Sequence, residues 1–294
     1  MANISVFGGG AWGRALAAAF RKKNETSIVS RRILNLPYQI TQQEAQKSEY
    51  FIVAISSNSL ISWLSTSPLP KKANILVASK GITQGLFVND IFTQFYPEAK
   101  LSFLAGPSFA KEVLQNLPCA LNIHSFNKQV AQEWISLFPD FIKPYVNEDV
   151  IGAEIGGAYK NVIAIASGIC EGLKLGSNAK ASLVARGLVE MTRFGIHFGA
   201  KEETFLGLSG AGDLFLTANS TLSRNFRVGI GLSKRKNLQC ILDEIGEIAE
   251  GVHTSKEIYA LAKQQNIYVP IVKEVTHILE GKDPMQSLKA LMNR

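Results

Sequence analysis

The 294-residue chain has few cysteines, and their arrangement excludes several classes of protein. Cys119, Cys170 and Cys240 are odd in number, widely spaced and set in apolar surroundings. This pattern argues against a disulfide framework and favours reduced thiols in the cytoplasm. The start of the chain, Met-Ala-Asn-Ile-Ser-Val-Phe, has neither a basic leader nor a small-residue cleavage site, so we do not expect secretion.

Long apolar runs are missing, and clusters of basic residues are few. Runs such as Val162 to Ala166 fall far short of the roughly 20 residues that cross a bilayer, so we expect no integral membrane association. The formal net charge is +7, but Lys and Arg are spread along the chain without interleaved aromatic residues. The composition therefore predicts anionic small molecules as partners and no nucleic acid.

The four histidines lack the spacing of metal ligands, which argues against a metal hydrolase. They are His124, His197, His253 and His277. We expect no metal site.

The first half of the chain alternates between short apolar runs and helical patterns. Strands are predicted at residues 4–7, 27–29, 50–55, 75–78, 101–104 and 119–123, and helices at 11–20 and 130–138. The run at 50–55 is apolar on both faces, as buried parallel strands are. The alternation predicts a Rossmann-like, doubly wound α/β sheet.

The second half has only helical patterns. They cover residues 150–169, 178–197, 238–248, 254–264 and 271–279. Asp149 is a predicted N-cap at the change of period. We therefore predict a dinucleotide-binding domain at residues 1–148 and an all-α domain for substrate binding and catalysis at residues 149–294, since one core rarely organises so long a chain.

A glycine-rich turn lies between the first predicted strand and the first predicted helix. Gly8-Gly9-Gly10-Ala11-Trp12-Gly13 has the spacing of dinucleotide-binding turns. Gly8 permits the tight turn, Gly10 lets a pyrophosphate approach the backbone, and Gly13 allows close helix packing. A chance glycine-rich turn is the alternative, but the position favours a cofactor site.

The end of the second predicted strand reads Ser30-Arg31-Arg32. Sites selective for NAD place a carboxylate there, whereas a guanidinium pairs with the 2′-phosphate of NADP. This predicts that NADPH is preferred and that NADH is the alternative cofactor. Arg32 is the arginine more readily explained as merely solvated.

Two further segments follow predicted strands at the edge where such folds bind ligands. Lys80 lies after the fourth strand, and Gly106-Pro107-Ser108-Phe109-Ala110 follows the fifth and opens a helix. Either segment alone could be an ordinary strand-end turn.

Lys160 is the predicted catalytic residue. Its helical neighbours at three and four positions include Gly156, Gly157 and Ala164, so a single ammonium projects from a surface rich in small residues. Enclosure would remove water from the amine and favour proton transfer. The alternative is a lysine whose tip reaches solvent.

Two segments between apolar helices are predicted binding loops. They are Gly207 to Asp213 and Ser223-Arg224-Asn225-Phe226. Ser223 can cap a helix whose first turn, with Arg224 and Asn225, would hold a phosphate, and Asp213 can accept from hydroxyl groups. An ordinary cap and an ordinary turn residue are the alternatives.

As a set, these motifs resemble the bacterial-type glycerol-3-phosphate dehydrogenase family over nearly the whole chain. They occur in the family's order: Gly-Gly-Gly-Ala-Trp-Gly (8–13), Ser-Lys-Gly-Ile (79–82), Gly-Pro-Ser-Phe-Ala-Lys-Glu (106–112), Gly-Ala-Tyr-Lys-Asn-Val-Ile-Ala (157–164), Gly-Ala-Gly-Asp-Leu (210–214) and Ser-Arg-Asn (223–225). The resemblance implies a homodimeric oxidoreductase that interconverts dihydroxyacetone phosphate and sn-glycerol 3-phosphate for phospholipid synthesis.

The resemblance also implies roles for individual residues. Lys160 would exchange the proton at the substrate oxygen. Substrate contacts would come from Lys80, Gly106, Ser108, Lys160, Asp213, Ser223, Arg224 and Asn225. The glycine turn and Arg32 are already predicted to bind the cofactor. Further contacts with the cofactor would come from Ala11, Trp12, Arg31, Lys80, Ala110, Arg224, Ile248 and Glu250.

The chain departs from the family between Arg32 and the third strand. The connection of residues 33–49 is short and contains Leu36-Pro37-Tyr38 in place of an Asn-Pro-Tyr-Leu-Pro-like segment, and Ala11 stands where many relatives have Ser. A related sugar-phosphate or hydroxyacid dehydrogenase remains an alternative function, as does a non-catalytic NADPH sensor.

Overall fold

The computed structural model describes residues 1–292, which form two compact units. The first unit contains residues 1–80 and 86–153, and the second contains residues 81–85 and the chain from Glu154 onward. The sequence placed the boundary between residues 148 and 149. The units divide later because Val150, at the start of a long helix, packs in a core of the first unit. The short segment 81–85 was assigned by sequence to the first domain.

The strands of the described residues are β1 (Asn3–Phe7), β2 (Glu25–Val29), β3 (Gln39–Ile40), β4 (Tyr50–Val53), β5 (Asn74–Val77), β6 (Ile82–Thr83), β7 (Leu86–Phe87), β8 (Lys100–Ala105), β9 (Cys119–His124) and β10 (Ile142–Asn147). An eight-stranded sheet has the order β10-β9-β8-β5-β4-β1-β2-β3, and β6 and β7 form a separate two-stranded sheet. All pairs in the large sheet are parallel except β8 with β9. The predicted doubly wound sheet is confirmed.

The helices of the described residues are α1 (Ala11–Phe20), α2 (Gln42–Ala45), α3 (Ser57–Thr66), α4 (Val88–Phe95), α5 (Ala110–Leu114), α6 (Lys128–Ile135), α7 (Val150–Gly172), α8 (Gly176–His197), α9 (Glu202–Leu206), α10 (Asp213–Ala218), α11 (Arg224–Ser233), α12 (Leu238–Ile245), α13 (Glu250–Gln264), α14 (Pro270–Leu279) and α15 (Pro284–Met292). A π-helical turn covers Leu208–Gly212. No strand occurs between residues 154 and 292, so the predicted helical second half is confirmed.

The large sheet buries apolar residues on both faces because side chains alternate along each strand. Ile52 and Leu76 pack on one face with Leu16 of α1 and Trp134 of α6. On the other face, strand residues including Phe51, Val53, Ile75 and Val77 pack with Leu60 of α3 and with Ile91 and Phe92 of α4. In doubly wound sheets of this kind, ligands bind outside the carboxyl ends of the strands.

Helix ends follow their local sequence. The carboxylate of Asp149 accepts a hydrogen bond from the backbone N–H of Gly152 at 2.9 Å, which confirms the predicted N-cap of α7. The prediction that α12 continues to Ile248 is wrong. Gly246 has φ of 68° and ends the helix, because that left-handed conformation suits glycine.

Within residues 1–292, no helix has both the length and the apolar character needed to span a membrane.

Candidate active site

The predicted cofactor residues of the first unit lie at one edge of the large sheet. The glycine turn follows β1, Arg31 and Arg32 follow β2, Lys80 follows β5, and the Gly106 segment follows β8. These strands belong to one run of parallel neighbours, so their carboxyl ends share an edge. The fold therefore brings these segments together in the first unit.

The glycine turn leaves the first helix open for an anion. Gly8 has φ of 124° and donates its N–H to the carbonyl of Val29 at 3.0 Å. Gly10 is the N-cap of α1 and is exposed, and a methyl group added to it would meet no atom within 4 Å. The first turn of α1 carries no acidic side chain. A dinucleotide's pyrophosphate fits this open helix N-terminus.

Trp12 and Gly13 complete the turn in different ways. Trp12 is half-buried and packs against the core that includes α1 and α6. Gly13 is buried against the backbone of Gly8, where a side chain would overlap the Gly8 carbonyl. The close contact holds the glycine turn against the start of α1. Ala11 has no polar side chain, so it can contact a cofactor only through its backbone.

The segment after β2 is ordered by one glutamine. The amide of Gln39 accepts from the N–H of Leu34 at 2.8 Å and donates to the carbonyl of Arg32 at 2.8 Å. The N–H of Arg32 also donates to the hydroxyl of Ser30 at 3.1 Å. Both Arg31 and Arg32 have exposed side chains. The short connection thus has a defined backbone and presents two guanidinium groups to solvent.

Lys80 and the Gly106 segment are both partly enclosed. Lys80 is half-buried. Gly106 is buried with φ of 122°, and the hydroxyl of Ser108 donates to the carbonyl of Gly106 at 3.3 Å. Ala110 begins α5, which packs against α1. Ala110 itself packs against the core that contains α1, the helix that follows the glycine turn.

In the second unit, Lys160 and Asp213 form a buried ion pair. The Lys160 Nζ atom lies 2.5 Å from Asp213 Oδ1, and their side chains are 11% and 2% exposed. Thr217 also donates its hydroxyl to this oxygen at 3.5 Å. The ammonium of Lys160 is therefore enclosed, as predicted from its small-residue surroundings, and the solvent-reaching alternative is excluded.

Close packing at a glycine explains how the two residues meet. Gly156 lies one turn before Lys160 on α7, and its Cα faces the backbone carbonyl of Ser209 in the π-helical turn. A side chain at Gly156 would overlap that carbonyl. Because the turn approaches α7 so closely, Asp213, the first residue after it, reaches the Lys160 amine. The predicted loop at Gly207 to Asp213 is thus a π-helical turn followed by a helix.

A buried amide network lies beside this pair. Asn225 donates to Asn161 Oδ1 at 2.9 Å and accepts from the N–H of Gly251 at 2.9 Å. Ser223 caps α11 as predicted, since its hydroxyl accepts from the N–H of Phe226 at 3.3 Å. The network joins α7, α11 and α13 through Asn161, Asn225 and Gly251.

Arg224 begins α11 and makes an ion pair with a residue that sequence reasoning missed. Its Nη1 atom lies 3.2 Å from Glu247 Oε2, and both side chains are partly exposed. Glu250 begins α13 and is half-buried, whereas Ile248 is 57% exposed. The described contacts thus place Arg224 beside the segment that leads into α13.

Sequence reasoning also missed Asn161, Thr217 and Gly251. Asn161 lies within the motif at residues 157–164, and Gly251 directly follows Glu250, so both are adjacent to residues with predicted roles. Thr217 is one helical turn after Asp213, a spacing that places two side chains on one face. That spacing was the available signal for Thr217.

A parallel sheet with a glycine turn at its carboxyl edge, joined to a helical unit with an enclosed lysine–carboxylate pair, is typical of dinucleotide-dependent oxidoreductases. Family models for the N-terminus and C-terminus of NAD-dependent glycerol-3-phosphate dehydrogenase match residues 34–131 and 149–290. The chain belongs to this family.

Similar proteins cover the full length. Proteins named glycerol-3-phosphate dehydrogenase (NAD(P)+) from Wolinella succinogenes and Helicobacter hepaticus are 55% and 54% identical over 99% of this chain and 99% and 100% of theirs. The crystal structure of glycerol-3-phosphate dehydrogenase from Coxiella burnetii has a TM-score of 0.93 at 32% identity and covers 100% of this chain and 99% of that one.

Proposed function

We infer that the chain is an NAD(P)-dependent oxidoreductase that interconverts dihydroxyacetone phosphate and sn-glycerol 3-phosphate. The full-length likeness to enzymes of that name supports the activity. The enclosed Lys160–Asp213 pair is the observation that carries the chemistry, because carbonyl reduction needs a proton donor and a neighbouring carboxylate favours the protonated form of an amine.

In the proposed roles, Lys160 gives its proton to the substrate oxygen during reduction and takes the hydroxyl proton during oxidation. A nicotinamide, when bound, would supply or accept a hydride at the carbon that carries this oxygen. Asp213 stabilises the ammonium form of Lys160 between these steps, since an adjacent opposite charge favours the charged state. The N-terminus of α11, with Ser223, Arg224 and Asn225, holds the phosphate and fixes the orientation of the substrate.

The remaining residue roles are part of the same proposal. Lys80, Gly106 and Ser108 also contact the substrate, and Ala110, Ile248 and Glu250 contact the cofactor. We propose that NADPH is preferred over NADH, because Arg31 is exposed at the end of β2 where a 2′-phosphate would bind. NADH serves as the weaker alternative.

The cellular location, the oligomeric state and the class of partner are inferred from different features of the chain. Three free cysteines favour the cytoplasm. Exposed apolar side chains at Val189, Leu206 and Phe215, on helices that pack together, favour a homodimer. Scattered basic residues favour small anions over nucleic acid. We also propose that the glycerol 3-phosphate produced is used for phospholipid synthesis.

The direct test is whether dihydroxyacetone phosphate causes oxidation of NADPH, measured as the loss of the reduced cofactor's absorbance. The same assay is repeated with NADH. The expected result is turnover with both cofactors and a lower KM for NADPH. A panel of hydroxy acids and other sugar phosphates tests the rival dehydrogenase. Cofactor binding without turnover of any substrate would favour a sensor instead.

A further inference from the structure

A short segment of the first half of the chain packs with the second unit. Directly after Lys80, residues 81–85 leave the large sheet and belong to the second unit. They include β6 and end in a two-residue turn, Gln84-Gly85, with φ of 54° and 72°. Positive φ at both positions is the geometry of a tight type I′ hairpin turn. The segment therefore has a defined conformation.

One carboxylate on α13 holds the tip of this turn. Glu257 Oε2 accepts a hydrogen bond from the backbone N–H of Gly85 at 3.0 Å. The other oxygen, Oε1, lies 3.3 Å from Nε2 of His253, one helical turn earlier. β6 also packs against α13. The Glu257 side chain is only 20% exposed, so its bond to Gly85 is largely shielded from water.

The beginning of the same helix carries other residues of the candidate active site. Glu250 is the first residue of α13. The next residue, Gly251, donates its N–H to Asn225, which bonds in turn to Asn161 beside Lys160. A single helix thus connects the segment that follows Lys80 with the amide network beside the proposed catalytic lysine.

We propose that Glu257 is a positioning residue, which anchors the segment after Lys80 to α13 and so limits where the Lys80 amine can go. The inference rests on the proposed function, in which Lys80 contacts the substrate. Glu257 itself touches neither substrate nor cofactor. It acts through the hydrogen bond that its carboxylate oxygen Oε2 accepts from the N–H of Gly85.

The test separates reach from charge with four variants. Glu257→Ala removes the acceptor, and Glu257→Asp keeps the charge but shortens the side chain by one methylene. Glu257→Gln keeps the reach and an acceptor oxygen but removes the charge. Lys256→Ala, at the neighbouring exposed position of α13, is the matched control.

We expect the KM for dihydroxyacetone phosphate, at saturating NADPH, to rise about tenfold in Glu257→Ala and Glu257→Asp, the loss expected for one hydrogen bond to a charged group. Their kcat and melting temperature should stay near those of the wild type. Glu257→Gln and Lys256→Ala should keep KM within about twofold of the wild type.

Amide hydrogen exchange of Gly85, followed by NMR, gives a readout that does not depend on activity. Slow exchange in the wild type and in Glu257→Gln, and fast exchange in Glu257→Asp, are expected. Unprotected exchange of Gly85 in the wild type would overturn the anchor even if Glu257→Ala did not fold. An active wild type with an unchanged KM in Glu257→Asp would overturn this inference alone, whereas an inactive wild type would overturn the proposed function first.

Discussion

The Nζ atom of Lys160 and the Oδ1 atom of Asp213 are 2.5 Å apart, and both side chains are almost fully buried. Two effects act on the amine in opposite directions. Loss of water disfavours the ammonium, whereas the adjacent carboxylate favours it. The pair therefore encloses the Lys160 amine beside one opposite charge, which is the arrangement that the proposed proton transfer uses.

Removing the amine should remove the chemistry and spare the cofactor. We expect Lys160→Ala to abolish turnover, with a loss of at least about a thousandfold in kcat, and to leave the Kd for NADPH nearly unchanged. Steady-state kinetics and fluorescence titration with NADPH measure the two effects. Lys180→Ala, which removes a surface lysine paired with Glu171 at 2.7 Å, is the control. A Lys160→Ala enzyme with a tenth of the wild-type rate would contradict the assignment.

Removing only the carboxylate should destabilise the second unit. In Asp213→Asn the buried ammonium loses its opposite charge, which costs about 3–5 kcal/mol when such a pair is broken on one side. The double variant Lys160→Met, Asp213→Asn should be destabilised by less than the sum of the two single changes, because it leaves no buried charge. Urea unfolding of the four proteins completes the cycle. Additive changes in the free energy of unfolding would argue against direct coupling.

Two glycines of the same turn should respond differently to alanine. A methyl group at Gly10 meets no atom within 4 Å, so Gly10→Ala should keep the melting temperature and weaken NADPH binding by about tenfold, because the pyrophosphate must approach the backbone there. A methyl group at Gly13 overlaps the carbonyl of Gly8, so Gly13→Ala should cost about 1–3 kcal/mol of stability. Calorimetry and NADPH titration of both variants separate the roles. Equal melting temperatures in the two variants would be inconsistent with this packing.

Cofactor preference should depend on Arg31. In Arg31→Asp a carboxylate replaces the guanidinium proposed to pair with the 2′-phosphate, so the KM for NADPH should rise by about tenfold or more while that for NADH changes little. Lys22→Asp, at an exposed basic position just after α1 with no predicted part in binding, is the control. Equal effects of Arg31→Asp on the two cofactors would refute the assignment.

The sequence predicted the sheet well where strands are buried and apolar, and poorly elsewhere. All six predicted strands are present, because runs such as Tyr50–Val53 are apolar on both faces. β10 was missed because Lys143 is exposed and Pro144 interrupts the pattern of an edge strand. β3 and β6 have two residues each, too short for any periodicity to indicate them.

The candidate site was predicted from motifs but its contacts were not. Local spacing indicated the glycine turn, the Ser223 cap and the enclosed lysine. It could not indicate contacts elsewhere in the second unit. Buried Glu190 of α8, for example, accepts from Tyr159 at 2.9 Å and from the N–H groups of Ile271 and Val272 at the start of α14. Burial raises the pKa of Glu190, and these N–H groups oppose the shift. Such contacts join residues far apart in sequence, which periodicity cannot detect.

The stability of the first unit should fall in mild acid because of one histidine. His124 is fully buried at the end of β9, and burial lowers its pKa from 6.5 to about 4, against the opposing effect of Asp149. The unfolded chain takes up a proton near pH 6.5 while the folded state stays neutral, so stability is complete above that pH and decreases as the pH falls toward 4.

The expected loss between neutral pH and pH 5 is about 2 kcal/mol in the free energy of unfolding. His124→Gln cannot titrate and should lose less over the same interval, even if its stability at neutral pH is lower. His197→Gln, at an exposed position on α8, should follow the wild type. Urea unfolding at the two pH values, monitored by fluorescence of tryptophans including the buried Trp134, measures the difference. If His124→Gln and the wild type lose the same free energy, the acid sensitivity lies in other groups, because only the buried imidazole distinguishes the two proteins.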